Sequence, residues 1–150
     1  MFDTKILGTD EDSIAYAAKL LSQGEVVGMP TETVYGLAAN AFDEEAVRKI
    51  FAAKGRPADN PLIVHISDIS QLEGLVDKIP PLAVKCAEKF WAGPLTMIMP
   101  KSEKIPMVTS GGLDHVETPV YLGGSSLEIE FQEVVNNSGT EEQPLGTLAG

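Results

Sequence analysis

The chain has 150 residues, of which 43% are hydrophobic and 6% aromatic, so its size and composition suit one globular domain. Its 22 acidic and 11 basic residues give a net charge of −11, which argues against a general binder of nucleic acid or of anionic membranes. The single cysteine excludes an internal disulfide and a cysteine-built zinc site. The sequence has no long apolar run and no N-terminal secretory pattern, so we expect a cytoplasmic protein without a membrane segment.

The charge is distributed unevenly along the chain. All eleven basic residues lie at or before Lys104, and residues 1–104 have a net charge of −4. Residues 105–150 contain seven acidic residues and no lysine or arginine. Two interpretations stay open: a disordered acidic tail or a chance composition, or a segment of different design from the body.

The first elements in chain order are a helix and a short strand. Apolar residues recur with helical spacing over residues 13–23, and Asp12 or Ser13 is the expected N-cap. Residues 25–29 predict a short strand. Pro30 ends it, because proline cannot donate a hydrogen bond to a β-ladder.

The middle of the chain predicts a turn, a second helix and a strand. Residues 31–37 run from polar to apolar to glycine, which predicts a turn leading into a short helix. Asp43 caps the second helix and Gly55 ends it, with Lys54 on the last turn at the edge of the apolar face. Residues 62–66 form an unbroken apolar run, which is typical of a strand covered on both faces.

The remaining segments complete an alternation of helices and strands. Helices are predicted over about residues 69–76 and 81–91, followed by a strand over residues 95–99. This alternation favours an α/β or α+β layered fold. Residues 127–131 alternate like a half-exposed strand, and residues 136–150 predict a loose tail.

A pair of cations stands at the end of the second helix. Lys54 and Arg56 flank Gly55, and Pro57 constrains the loop that follows. Complementing the negative end of the helix dipole would explain Lys54 alone. The pair on a constrained loop also suits a phosphate or carboxylate clamp, in which arginine offers a planar fork and lysine a point charge.

Polar side chains follow the first strand. Thr31 and Thr33 lie just past its end, where ligands gather in α/β sheets, although Thr31 could instead cap the next helix. Tyr35 follows in the same segment and could be a half-buried core aromatic rather than a binding residue. His65, at the end of an apolar strand, could be a hydrogen-bonded core histidine rather than a ligand. With two histidines in the chain, we expect no histidine metal site.

Taken together, these segments resemble the YrdC/TsaC family in their order and spacing over about residues 8–116. The segments that carry the resemblance are PTETVYGL (30–37), KGRPADNPL (54–62), VHI (64–66), GPLT (93–96) and VTSGGLD (108–114). The resemblance implies an α/β (α+β) fold, in which a twisted open mixed sheet and flanking helices surround a positively lined cavity. It divides the chain into a YrdC-like domain, residues 1–116, and an atypical acidic, partly disordered tail, residues 117–150.

The resemblance also implies an activity, L-threonylcarbamoyladenylate synthase. Such an enzyme converts ATP, L-threonine and bicarbonate to threonylcarbamoyl-AMP and pyrophosphate, with Mg²⁺ carried by ATP. The product feeds the tRNA-modification machinery that makes threonylcarbamoyladenosine, and members of the family have been considered RNA binders.

Two groups of site residues follow from the matching positions. The threonine side would consist of Thr31, Thr33, Tyr35 and His65. The ATP side would consist of Lys54, Arg56 and Asn60, with Lys54 and Arg56 supplying the catalytic charge. The resemblance implies no protein-held metal.

The sequence departs from the family pattern after residue 116. The family continues there with an arginine that helps to hold threonine and with a Ser-x-Asn segment, whereas this chain has no arginine after Arg56. One alternative is therefore an inactive or truncated YrdC-like module that binds nucleotide or RNA. Another is a structural fragment that needs a partner.

Overall fold

The computed structural model describes residues 4–31, 34–91, 93–120 and 148–149. Helices and strands alternate along these residues, and a 3-10 turn, Ile69–Gln71, precedes the third helix. The elements are α1 Glu11–Ser22, β1 Val27–Met29, β2 Gly36–Asn40, α2 Glu44–Lys54, β3 Val64–His65, α3 Leu72–Leu75, α4 Pro81–Phe90, β4 Gly93–Pro100, β5 His115–Val120 and β6 Leu148–Ala149.

Local signals define the first two helices. The Asp43 carboxylate accepts hydrogen bonds from the amides of Glu45 and Ala46 at 3.0 and 3.2 Å, and Gly55 ends α2 in the left-handed conformation, as predicted. The cap of α1 was predicted at the wrong residue. Asp10, rather than Asp12 or Ser13, accepts from the backbone at the start of α1, because its extended backbone directs the carboxylate at the exposed amides.

The strands form two antiparallel groups, with orders β1-β2-β6-β3 and β4-β5. An isolated parallel bridge between Ile63 and Glu117 joins the segment before His65 to β5. The strands thus follow one another in the order β1-β2-β6-β3-β5-β4, with both parallel and antiparallel neighbours. This arrangement confirms the predicted α+β class with a mixed sheet and flanking helices.

β2, α2 and β3 form a crossover unit. β2 and β3 are both antiparallel to β6, so they run parallel to each other. The eleven residues of α2 are about 16 Å long and the five residues of β2 about 17 Å, so the helix returns the chain to the edge at which β2 began. The C-terminus of α2 therefore lies at that edge.

Two apolar clusters hold these layers together. α1 packs on β1 and β2 through Ile14, Ala18 and Leu21, which contact Ala38. The larger cluster joins α2, β2, β3 and the loop before β5. Its members include Val47, Ile50, Phe51, Leu62, Val64, Ile66, Ile105, Val108 and Val116.

Two sequence predictions in the middle of the chain were wrong. Residues 36 and 37, the end of the predicted turn and short helix, belong to strand β2, because Gly36 pairs with Met29 of β1 and the chain makes a hairpin. The predicted two-sided strand at 62–66 is shorter and one-sided. Leu62, Val64 and Ile66 are buried, whereas Ile63 is 37% exposed.

The C-terminal predictions have mixed outcomes. β5, at 115–120, was not predicted. Residues 148–149, assigned to the loose tail, form β6 between β2 and β3. The strand predicted at 127–131 lies outside the described residues, and disorder of the tail stays a prediction. None of the helices in the described part of the chain has the length and apolarity needed to cross a membrane.

Candidate functional site

Two chain segments meet at the edge of the sheet where β1 ends and β2 and β3 begin. β1 and β2 form an antiparallel hairpin, with Met29 paired to Gly36. Residues 55–63 connect α2 to β3 and reach the same edge, because β2 and β3 are parallel. We refer to this edge, residues 30–31, 34–35 and 54–61, as the hairpin edge. The predicted site residues Thr31, Tyr35, Lys54, Arg56 and Asn60 all lie at this end of the sheet.

Lys54 and Arg56 are the cations of the hairpin edge. Lys54 is the last residue of α2, and both side chains are exposed. Partial burial, and then the charge of Arg56, lower the pKa of Lys54. Two cations held near each other at a solvent-accessible edge form a local positive centre in an acidic protein.

The helix dipole works against anion binding at this position. Anion sites commonly use helix N-termini, whereas Lys54 and Arg56 follow the negative C-terminal end of α2. A phosphate at this edge thus depends on the two side-chain charges, since the helix offers carbonyl oxygens there. The pair can complement the dipole and hold an anion at the same time, so both interpretations of Lys54 remain compatible with its position.

The hairpin presents polar and aromatic groups at the same edge. The Thr31 hydroxyl donates to the Val34 carbonyl at 2.6 Å and accepts from the Val34 amide at 3.2 Å, so it closes a turn rather than capping a helix. Tyr35 is 80% exposed, which rules out the half-buried core position considered for it. Thr33, a predicted threonine-binding residue, lies outside the described residues.

His65 and Asn60 stand at opposite ends of the segment that enters β3. Asn60 is exposed at the hairpin edge. His65 is half-buried and pairs with Leu148, which pairs with Asn40, so His65 is level with the far end of β2. That end is about 14 Å along the strand from Gly36. The register therefore does not bring the His65 backbone to the hairpin edge.

Sequence reasoning missed a loop that packs against the hairpin edge. Residues 106–113 form a hydrogen-bonded loop that packs against the start of β3. The Leu62 amide donates to the Thr109 carbonyl at 2.9 Å, and the Thr109 hydroxyl donates to the Ala41 carbonyl at 2.9 Å. The segment VTSGGLD (108–114) carries part of the family resemblance, but the resemblance assigned no site role to any of its residues.

Acidic and histidine side chains do not gather into a metal site in the ranges that the structure describes. No three His, Cys, Asp or Glu residues there could hold one ion together. Among the described residues of the hairpin edge, Lys54 and Arg56 are cations and Asp59 is the one acid. Such a set suits an anionic ligand better than a bare cation.

The chain matches the family model Sua5_yciO_yrdC, described as "Telomere recombination", over residues 19–117. It is 57% identical over 107 residues to a threonylcarbamoyl-AMP synthase of Pyrococcus abyssi and 56% identical over 110 residues to that of Bacillus subtilis. The matches cover 71% and 72% of this chain but 32% of each relative. The chain thus spans about a third of the length of these relatives.

A solved structure shares the fold. The crystal structure of P. abyssi Sua5 complexed with L-threonine matches with a TM-score of 0.79 and 46% sequence identity. The match covers 94% of this chain and 38% of the solved chain. The sequence and structure comparisons therefore agree on the same group of proteins.

Proposed function

Because the chain belongs to the Sua5/YciO/YrdC family, we propose that it acts as an L-threonylcarbamoyladenylate synthase. The reaction would take ATP, L-threonine and bicarbonate to threonylcarbamoyl-AMP and pyrophosphate. The observation that supports the proposal is that the exposed Lys54 and Arg56 lie at the same end of the sheet as the hairpin that contains Thr31 and Tyr35. The names of the P. abyssi and B. subtilis relatives support the choice of reaction.

Lys54, Arg56 and Asn60 are proposed to bind the ATP phosphates. An arginine fork and a lysine point charge complement phosphate oxygens, and the Asn60 amide can donate to one of them. During adenylation, negative charge moves onto the departing pyrophosphate. Fixed cations beside it would stabilise that transition state more than the ground state. Lys54 and Arg56 are therefore the proposed catalytic residues.

Thr31, Thr33, Tyr35 and His65 are proposed to hold the amino acid. Hydroxyl groups on the hairpin can donate to the threonine carboxylate or accept from its amine. A product that joins threonine to AMP is long enough to extend from the hairpin edge across the sheet towards His65. Because His65 lies at the far end of the strands, it would contact the part of the amino acid or product that extends furthest from the hairpin edge.

The chemistry consists of two steps with balanced atoms. The threonine amine attacks bicarbonate to give a carbamate and water, and a carbamate oxygen then attacks the α-phosphorus of ATP as pyrophosphate leaves. The protein's part is to hold the reactants close and to neutralise charge. Magnesium would accompany ATP, bound mainly by phosphate oxygens.

The wider role follows from the product. Threonylcarbamoyl-AMP would be passed to tRNA-modification machinery in the cytoplasm, and the chain could contact RNA through the same cations.

The second candidate is a YrdC-like module that binds nucleotide or RNA without turnover. It is favoured by the absence of any arginine between Arg56 and residue 150.

Pyrophosphate release distinguishes these two functions. The synthase should release pyrophosphate from ATP only when both L-threonine and bicarbonate are present. Lys54→Ala should abolish that release, whereas Lys85→Ala, which removes an exposed lysine on α4, should not. ATP binding without any release would identify the non-catalytic module and contradict synthase activity.

A further inference from the structure

The loop at residues 106–113 is built as a rigid support. Its backbone makes internal hydrogen bonds, from Thr109 to Pro106, Gly111 to Val108 and Gly112 to Met107, at 3.1, 3.3 and 2.8 Å. The buried Ser110 hydroxyl adds contacts to the carbonyls of Met107 and Leu113 at 3.2 and 2.7 Å. Because these hydrogen bonds are made within the protein, the conformation of the loop does not depend on a bound ligand.

Thr109 fixes this loop to both neighbouring parts of the crossover. Its side chain is fully buried, and its hydroxyl donates to the Ala41 carbonyl, just before α2. Its own carbonyl accepts from the Leu62 amide, just before β3. Thr109 therefore links the segment before α2, the helix that ends at Lys54, with the segment that leads from Asn60 into β3.

Gly111 lies directly against the Asn60–Pro61 peptide. A Cβ atom added at Gly111 would lie 2.6 Å from the Pro61 nitrogen and 2.7 Å from the Asn60 carbonyl carbon. These are backbone atoms, so a side chain at Gly111 would displace the peptide rather than a flexible group. Gly111 has a φ of +59°, which glycine adopts at low cost.

We propose that the loop is a positioning element for the nucleotide site, with Gly111 and Thr109 as positioning residues that set the place of Asn60. This inference rests on the proposed function in one respect, namely that Asn60 faces the ATP phosphates. The side chain of Asn60 is exposed, and its place depends on the backbone beneath it. The loop holds that backbone on one side through contact with Gly111 and on the other through the hydrogen bond to Thr109.

Gly112 provides a matched control. It also has a positive φ, +84°, so replacing it with alanine imposes a similar backbone cost. A Cβ at Gly112 meets no atom of the described residues within 4 Å. Gly111→Ala and Gly112→Ala therefore differ chiefly in whether the added methyl group displaces the Asn60–Pro61 peptide.

The test compares ATP affinity of the two variants by calorimetry on the full chain. Gly111→Ala should weaken ATP binding by about tenfold or more, the loss expected when a hydrogen bond to a charged group is removed, while Gly112→Ala stays near the unaltered chain. Thr109→Val should weaken binding, and Thr109→Ser, which keeps the hydroxyl, should restore it. Equal ATP affinities in the two glycine variants would overturn the proposal.

Amide NMR spectra separate this inference from the proposed function. Gly111→Ala should shift the resonances of residues 59–63 without ATP, and Gly112→Ala should leave them in place. If the unaltered chain binds no ATP, the proposed function is contradicted, and these shifts alone decide the positioning role. Unmoved resonances in Gly111→Ala would overturn it, whatever the outcome for ATP.

Discussion

At the scale of single residues, the charge state of Lys54 decides what the hairpin edge can bind. Burial and the nearby Arg56 charge both disfavour the protonated amine, so the pKa of Lys54 is lowered. The amine therefore loses its charge at a lower pH than an ordinary lysine does. A site that depends on this charge should lose phosphate affinity early on the alkaline side.

The pH dependence of ATP binding tests this property. In Lys54→Arg the guanidinium stays charged, so the alkaline loss of ATP affinity should move to higher pH, whatever the affinity at neutral pH. Lys85→Arg, on the exposed face of α4, is the matched control and should leave the profile unchanged. Calorimetric titrations across the alkaline range measure the pH at which ATP affinity falls. The same alkaline midpoint in Lys54→Arg and in the unaltered chain would contradict the assignment.

Tyr35 and Phe51 are aromatic residues with opposite roles. Tyr35 is 80% exposed and Phe51 is 5% exposed. Tyr35→Ala should change the free energy of unfolding by no more than about 0.5 kcal/mol, whereas Phe51→Ala should cost about 3–5 kcal/mol. Urea unfolding measures both values. Tyr35→Ala should still reduce threonine-dependent pyrophosphate release. If Tyr35→Ala lowered the free energy of unfolding as much as Phe51→Ala, Tyr35 would be a core residue and the assignment would be wrong.

At the scale of elements, α2 was predictable because its signals are local. Asp43 at the cap, the spacing of Val47, Ile50 and Phe51, and Gly55 at the end all lie within one segment. β2 and β5 depend on partners elsewhere in the chain. Residues 36–40 are a strand because of the hairpin with β1, and β5 contains Glu117 and Thr118 where an apolar run would signal a strand.

The two ends of α2 allow a stability test of this element. Asp43→Ala removes two hydrogen bonds from the first turn and should cost about 0.5–2 kcal/mol of unfolding free energy. Gly55→Ala places a side chain at a φ of +62° and should cost about 1 kcal/mol. Gly28→Ala, at an exposed position in β1 without a positive φ, should be nearly neutral. Equal losses at Gly55 and Gly28 would contradict the left-handed cap.

At the scale of the whole molecule, the net charge of −11 is a poor guide to function. The acid excess is greatest after Lys104, whereas Lys54 and Arg56 form a positive centre at the hairpin edge. The sequence could predict that the two cations stand together, since they are two residues apart. It could not predict that the hairpin between β1 and β2 lies at the same end of the sheet as these cations, because that depends on the register of β2, β6 and β3.

The support of Asn60 by Gly111 was also beyond sequence reasoning. The two residues are far apart in the chain, and a glycine that admits a close backbone approach looks the same in sequence as one in an open loop. Gly111 and Gly112 illustrate this, since they are adjacent and both have positive φ, yet the contact with the Asn60–Pro61 peptide is made at Gly111.

An NMR titration with ATP tests the central claim most directly, namely that the hairpin edge binds the ATP phosphates. The largest changes in amide chemical shift should occur at residues 34–36 and 54–62. Residues 40–43, at the opposite edge of β2, should move little. Lys54→Ala should remove the shifts caused by ATP, and Lys85→Ala should keep them. Shifts concentrated at the opposite edge, or none at saturating ATP, would contradict it.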